Sequence, residues 1–238
     1  MENTRTDPAE DRRSFRISET LTVSILLTVT GGFLDAYTYL FRGKVFANGQ
    51  TGNFVLLGVS LVEQDFQRAL YYLLPITAFL LGVFLAESIH ARIGNDRFIK
   101  WRHVVLLLEI AILLMAVFIP QGEWDYLANI SISFVCALQT QAFRSLRGLS
   151  YISVMCTGNV RSGIHEFCNY LHSRQKKYMI NGFYYFLIVL SFVFGAALGT
   201  FFMEHWHYLS LLFPIGLLSI ALLLLFAKKH LRSLSEKL

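Results

Sequence analysis

Charged residues are scarce in this chain. Only 16% of its 238 residues are Asp, Glu, Lys or Arg, whereas a soluble domain of ordinary composition carries about 25%. That leaves too little polar surface to cover a globule of this size, so a water-soluble enzyme, a secreted disulfide domain and a disordered chain are set aside together. Cysteine is nearly missing. The three present, Cys136, Cys156 and Cys168, form no close pair, which argues against a disulfide framework and against a zinc site built on CxxC. Nor is there a GxSxG, a Walker loop or a GxGxxG. His165-Glu166 begins like a zinc-binding HExxH helix, but Asn169 stands where the second histidine is needed, so the motif fails. No cofactor, metal or catalytic set is expected. A cleavable leader is not expected either: residues 1–20 are polar and carry Arg5, Arg12, Arg13 and Arg16, and the apolar run after them has no small-residue cleavage site.

What is abundant is apolar. The apolar share is 55% and the mean hydropathy +0.50, the composition of a multi-spanning membrane protein whose first partner is the lipid bilayer. Six windows are long and apolar enough to span: 21–41, 70–90, 104–119, 127–143, 181–203 and 208–227. Two more, 45–62 and 151–167, are too polar to face lipid and too apolar for ordinary loops. The first holds Asn48, Gln50, Thr51 and Asn53; the second holds Thr157, Asn159, Arg161, His165 and Glu166. The net charge of +5 comes from 21 basic and 16 acidic residues. The basic ones gather in tails and short loops between apolar runs, which is the positive-inside pattern and not a nucleic-acid footprint.

The two odd windows share a tripeptide, Thr51-Gly52-Asn53 and Thr157-Gly158-Asn159. The same offset pairs Asp35 with Gln141 and Tyr37 with Phe143, and Leu81-Gly82 pairs with Phe194-Gly195 if the second copy has a short insertion. The chain therefore reads as a duplication: a polar cytoplasmic tail 1–20, a first membrane repeat 21–119, a second 127–227 and a basic cytoplasmic tail 228–238. Charge chooses the topology. If each odd window enters and returns on the same side, the basic loop 91–103, Arg144, Arg147, Arg174, Lys176, Lys177 and the C-terminal lysines all lie inside, while Glu63, Asp65, Glu123, Asp125 and Glu204 lie outside with Arg42, Lys44 and Arg68. This fits the positive-inside rule better than eight spans. Each half then holds three spans, so the halves enter the bilayer from opposite faces. The expected fold is all-α, with about six transmembrane helices plus two re-entrant half-helices in two inverted repeats, an arrangement typical of transporters and channels.

The stretches GGFLDAYTYL and FANGQTGNFVLLG, followed by QTQAFRSLRG and CTGNVRSG, resemble the YoaK-type family of bacterial multi-pass membrane proteins, across about residues 21–227. The resemblance implies a polytopic bacterial inner-membrane protein of this length; the charge pattern places both termini in the cytoplasm. The resemblance implies no reaction and no substrate, because the family's domain carries no assigned function.

The functional argument therefore rests on intramembrane polarity. Thr and Asn are helix-capping residues and Gly permits a tight turn, so Thr-Gly-Asn suits a helix start inside the bilayer. Half-helices over 54–62 and 160–167 would aim their positive ends at the midplane and favour an anion or a polar solute group. Asp35 lies within the first span, where an ionisable group costs about 2.5–3.5 kcal/mol on insertion scales and normally faces protein or water. Its alternatives are a one-sided proton or cation site, or a structural bond to Asn53, Tyr37 or a buried arginine. Arg161 would project from the first turn of the second half-helix, to bind an anion, to pair with Asp35 or to snorkel to the cytoplasmic edge. Glu109 is a second intramembrane acid, functional or bonded to a neighbouring helix. The candidate solute-binding set is Asp35, Gln50, Thr51, Gly52, Asn53, Gln141, Thr157, Gly158, Asn159 and Arg161. The reading is a transporter or channel for a small polar solute, with Arg161 and the helix ends favouring an anionic one. The alternatives are a non-transporting assembly or partner protein and, less favoured, a membrane-embedded enzyme. A homo-oligomer stays open.

Overall fold

A computed structural model describes residues 20–93 and 100–235, with side chains through residue 227. The helices are α1 (Leu21–Phe41), α2 (Gln50–Val62), α3 (Phe66–Ile93), α4 (Trp101–Val117), α5 (Asp125–Ala142), α6 (Cys156–Ser173), α7 (Lys176–Trp206) and α8 (Leu212–Ser235). A short 3-10 turn, His207–Leu211, joins the last two. The tail 1–19 and the middle of the basic loop 91–103 fall outside the described residues.

The elements follow from the local sequence. The apolar run of α1 ends where Gly43 (φ 82°) and Lys44 (φ 63°) take left-handed conformations that a helix cannot continue through. α3 opens on Asp65, whose carboxylate accepts the Arg68 N–H at 2.9 Å and so satisfies one of the free amides of the first turn. α6 stops at left-handed Arg174. The fold is all-α as expected, apart from one short hairpin. Ser145–Leu146 and Leu149–Ser150 form a two-residue antiparallel hairpin. Its turn is Arg147-Gly148, with φ of 49° and 84°, the geometry that tight hairpins select. α8 continues to Ser235.

By length and apolarity alone, three stretches qualify as membrane spans: Leu21–Phe41, Phe66–Ile93 and Lys176–Ala227. The last contains two helices. α4 and α5 fall outside that criterion for different reasons. α4 is 17 residues long, and α5 is diluted by Asp125, Asn129, Ser131, Ser133, Gln139, Thr140 and Gln141.

The helices pack in a reciprocal scheme. α1 lies against α7, and α5 against α3; α2 lies on α3, and α6 on α7; α4 touches α5, and α8 touches α1; α4 and α8 meet each other. Replacing the first four helices by the last four leaves this set of neighbours unchanged. Close backbone approaches repeat the pattern. A Cβ on Gly195 of α7 would sit 2.2 Å from the Val29 carbonyl oxygen of α1, and one on Gly82 of α3 would sit 2.7 Å from the Phe134 carbonyl oxygen of α5. Small residues at such crossings let helix backbones meet, which is how helices associate in lipid. The core lies between α1, α4, α5 and α8 and includes Leu27, Phe33, Leu106, Leu113, Ile132, Leu138 and Leu218. Large apolar side chains also cover the outside: Val62 is 85% exposed, Phe84 72% and Phe118 84%. So much exposed hydrocarbon is the surface of a protein that lipid surrounds.

Candidate functional site: two returning turns that meet at the middle of one helix

After α1 ends at Phe41, the chain doubles back. Asn48 Nδ2 donates to the Gly31 carbonyl at 2.8 Å, ten residues, or about 15 Å, before the end of α1. From that depth α2 starts. The loop is held by Asn53, which reaches back seven residues: its Oδ1 accepts the Phe46 N–H at 3.2 Å and its Nδ2 donates to the Phe46 carbonyl at 2.7 Å. The second odd window repeats the device. Asn159 Oδ1 accepts the Ile152 N–H at 3.3 Å and Nδ2 donates to the Ile152 carbonyl at 2.7 Å. Both asparagines are buried. The second loop also reaches Gly31: a Cβ placed there would meet Val154 Cγ1 at 2.7 Å. Two turns from opposite ends of the chain therefore meet at one point in the middle of α1.

The helix starts correct the expected half-helices 54–62 and 160–167. α2 begins at Gln50 and α6 at Cys156, so both Thr-Gly-Asn sequences lie in a first turn and not before it. They do not cap it, and neither helix has a side-chain cap bond. The asparagine instead pins the incoming strand of chain. Gly52 leaves room for the Phe46 ring, which an added Cβ would meet at 2.8 Å. Thr51, Thr157 and Gly158 face outward and are exposed. Gln50 completes the first clamp: it donates to the Ala47 carbonyl and accepts from Asn53 Nδ2, each at 2.8 Å.

Asp35 is half-buried on α1. Its Oδ1 accepts the Asn48 N–H at 2.8 Å, and the Ala47 and Gly49 amides also turn toward the carboxyl. Asp35 lies within electrostatic range of Cys136 on α5 and of Cys156 at the start of α6. Of the bonds expected for it, those to Asn53, Tyr37 and a buried arginine are not the ones made. Arg161 is exposed and forms no ion pair with Asp35. Gln141, at the position equivalent to Asp35, is half-buried. The structure therefore brings Asp35, Gln50, Gly52, Asn53 and Asn159 around the two turns, while Thr51, Thr157, Gly158 and Arg161 look outward.

Several residues here were not singled out from sequence. Gln139 is buried and donates to the Leu27 carbonyl at 3.0 Å and to Ser153 Oγ at 3.1 Å, tying α5 to α1 and to the second turn. The offset pairs it with Phe33, so repeat matching hides it. Arg42, assigned to an outer loop by charge counting, is fully buried. Its guanidinium donates to the Tyr37 hydroxyl from Nε and Nη2, to the Ile119 and Pro120 carbonyls, and to Asp125 at 2.9 Å. Its own carbonyl accepts from Tyr71 and Asn129. This side chain joins the end of α1 to α3 and to the α4–α5 connection, which makes it a structural anchor with no free donor left for a solute.

The comparisons with known proteins agree with a membrane protein. Residues 23–224 match a family described as protein of unknown function (DUF1275). The chain is similar to the UPF0700 transmembrane protein YoaK of Bacillus subtilis (strain 168), with 27% identity over 163 residues that cover 66% of this chain and 71% of that protein. No solved structure matches it.

Proposed function

The chain belongs to the DUF1275 family and is a membrane protein, and from that premise we propose that it passes a small polar solute between two inverted halves, 21–119 and 127–227. The observation that carries this reading is the repeated clamp: Asn53 on Phe46 and Asn159 on Ile152, each holding a turn that returns to the level of Gly31. Irregular backbone at membrane depth is tolerated where it is buried in protein or lines water, and broken helices whose starts meet at the midplane form the solute sites of many transporters. In this reading α2 rises from the midplane to the outer face and α6 descends to the inner one, with both termini in the cytoplasm of a bacterial cell. Asp35 answers the amides at the start of α2 with an internal carboxylate, so any preference for an anionic solute comes from the α6 turn, where the mate of Asp35 is the neutral Gln141. Oligomerisation is not required by the path.

The test has two parts. Gln64→Cys and Gln175→Cys, each in a background without native cysteine, are treated with an impermeant thiol reagent in intact cells. Gln64→Cys is expected to react from outside and Gln175→Cys only after permeabilisation; reaction of both from one side rejects the inverted halves. Proteoliposomes are then tested for uptake of labelled formate, acetate, urea and glycerol. Uptake above protein-free vesicles that falls at least tenfold in Asp35→Asn supports the path. Equal uptake in wild type, variant and empty vesicles rejects it and leaves the assembly-protein reading.

A further inference from the structure

Glu109 sits in the middle of α4. It is fully buried, and among the described residues neither carboxyl oxygen has a hydrogen-bond partner. An ionised carboxylate with no counter-ion is among the costliest groups to hold in a bilayer, and such residues mark ion pathways and proton relays. A second observation lies on the facing helix. Along α5, Asp125, Asn129, Ser133, Cys136 and Gln139 follow at spacings of four, four, three and three, so they form one stripe. The last four are each no more than 1% exposed. The stripe covers roughly 21 Å at 1.5 Å per residue. Among the described residues, Asn129 Oδ1 and Ser133 Oγ also lack partners. A purely packing face would gain nothing from unpaired polar atoms, each of which carries a desolvation cost. α4 and α5 form a hairpin across a short connection, and counting equally from its middle brings Ser133 to the depth of Glu109. Cys136, one turn further, is within electrostatic range of both Glu109 and Asp35.

We infer that Glu109 is a proton-binding site that exchanges with water along the polar stripe of α5. The transfer is simple: the proton moves between a carboxyl oxygen of Glu109 and a water or hydroxyl of the stripe, and nothing is oxidised or reduced. Among the described residues the charged and titratable surroundings are sparse. Asp35 and Cys136 approach from the α1 and α5 side, and the Asp125–Arg42 pair closes the outer end of the stripe. From α8, Leu212 to Ala227 present no ionisable side chain. On α3 the nearest acid, Glu87, is exposed and engaged with Arg144 and His90. On α4 itself, His103 stacks on Phe226 with ring centres 4.4 Å apart. His207 and Tyr208 in the 3-10 turn are exposed. The inference does not depend on the transport reading.

The test uses the whole protein in lipid vesicles and dicyclohexylcarbodiimide, an apolar reagent that adds to protonated carboxyls. The acid proton goes to one carbodiimide nitrogen and the carboxyl oxygen bonds to the central carbon; acyl migration then leaves an N-acylurea of the same mass. Peptide mass spectrometry follows the adduct from pH 5 to pH 9. The expected result is an adduct at Glu109, absent in Glu109→Gln, whose rate falls about tenfold per pH unit above its midpoint. After a pH jump, the rate in Asn129→Leu/Ser133→Val, with the stripe closed by apolar groups, should reach its new value at least tenfold more slowly. Retained thiol labelling at exposed Cys168 with Cys136 unreactive confirms a folded sample. No adduct in folded protein, or a rate indifferent to pH, overturns the site; a double variant that follows pH as fast as wild type overturns the route.

Discussion

Removing the Asn53 side chain measures how much of the fold hangs on the first clamp. Asn53 makes three bonds: from Phe46 N–H at 3.2 Å, to the Phe46 carbonyl at 2.7 Å and to Gln50 Oε1 at 2.8 Å. Side-chain hydrogen bonds inside a bilayer average about 0.6 kcal/mol and reach about 1.7 kcal/mol, so the three together contribute about 2 kcal/mol. The Phe46 amide and carbonyl then lose their partners, and a buried unpaired polar group costs about 1–3 kcal/mol. Phe46 is half-buried, which places that second cost toward its lower end. The expected loss for Asn53→Ala is therefore about 2–4 kcal/mol. Asn159→Ala, with two bonds, should lose roughly 1–3 kcal/mol. Thr51→Ala, exposed in the same turn, should stay within about 0.5 kcal/mol of wild type. The assay is thermal unfolding in detergent micelles, read by the reaction of buried Cys136 with a fluorogenic maleimide. If Asn53→Ala unfolds with Thr51→Ala, the clamp is decoration and the argument built on it fails.

Two further pairs of variants use the same assay. Gly195→Ala puts a Cβ 2.2 Å from the Val29 carbonyl oxygen, so α1 and α7 have to separate by about 1 Å, with an expected loss of about 1–3 kcal/mol. Gly58→Ala, whose Cβ meets nothing within 4 Å, should instead gain about 0.5–1 kcal/mol. Arg42→Met leaves Asp125 and two carbonyls without their donor in a buried site and should lose about 3–5 kcal/mol, whereas Glu87→Gln, in an exposed pair with Arg144, should cost less than about 1 kcal/mol. Equal losses for these last two would reject the distinction between buried anchor and surface pair.

The long elements were legible because the physics that forms them is summed along the chain. The 21–41 window coincides with α1, where an apolar run stops at a Gly-Lys pair that adopts left-handed backbone. The two odd windows stood out for the same reason, since their polarity is too high for lipid and too low for water. What failed was detail set by contacts between distant residues. Thr-Gly-Asn reads as a capped helix start, yet Asn53 bonds backward to Phe46 instead of capping, and α2 starts earlier, at Gln50. Arg161 is expected in the first turn of a half-helix, but α6 begins at Cys156, which puts Arg161 in the second turn, and α6 turns its Gly163 face to α7 and leaves Arg161 outside. Average apolarity hides direction: the polar residues of α5 lower its apparent fitness for a bilayer, while burial of Asn129, Ser133 and Gln139 removes them from lipid altogether. Charge counting placed Arg42 in an outer loop and had no means to find its five donors engaged by Tyr37, Asp125 and two carbonyls.

The pairing of α1 with α7 has a consequence for how the chain is made. α1 leaves the ribosome early, but the helix whose backbone fits against Gly32 and Val29 is completed only about 160 residues later. At 5–20 residues per second, that interval is on the order of ten seconds to half a minute. Through that time α1 carries Asp35 and its glycine notch without α7, and α3 reaches the bilayer before α5 exists to cover Gly82. The first half of the protein must therefore be sheltered by lipid, by the insertion machinery or by another chain until the second half arrives, and a break in synthesis between Val117 and Asp125 would leave a membrane fragment whose closest packing surfaces are all unfilled.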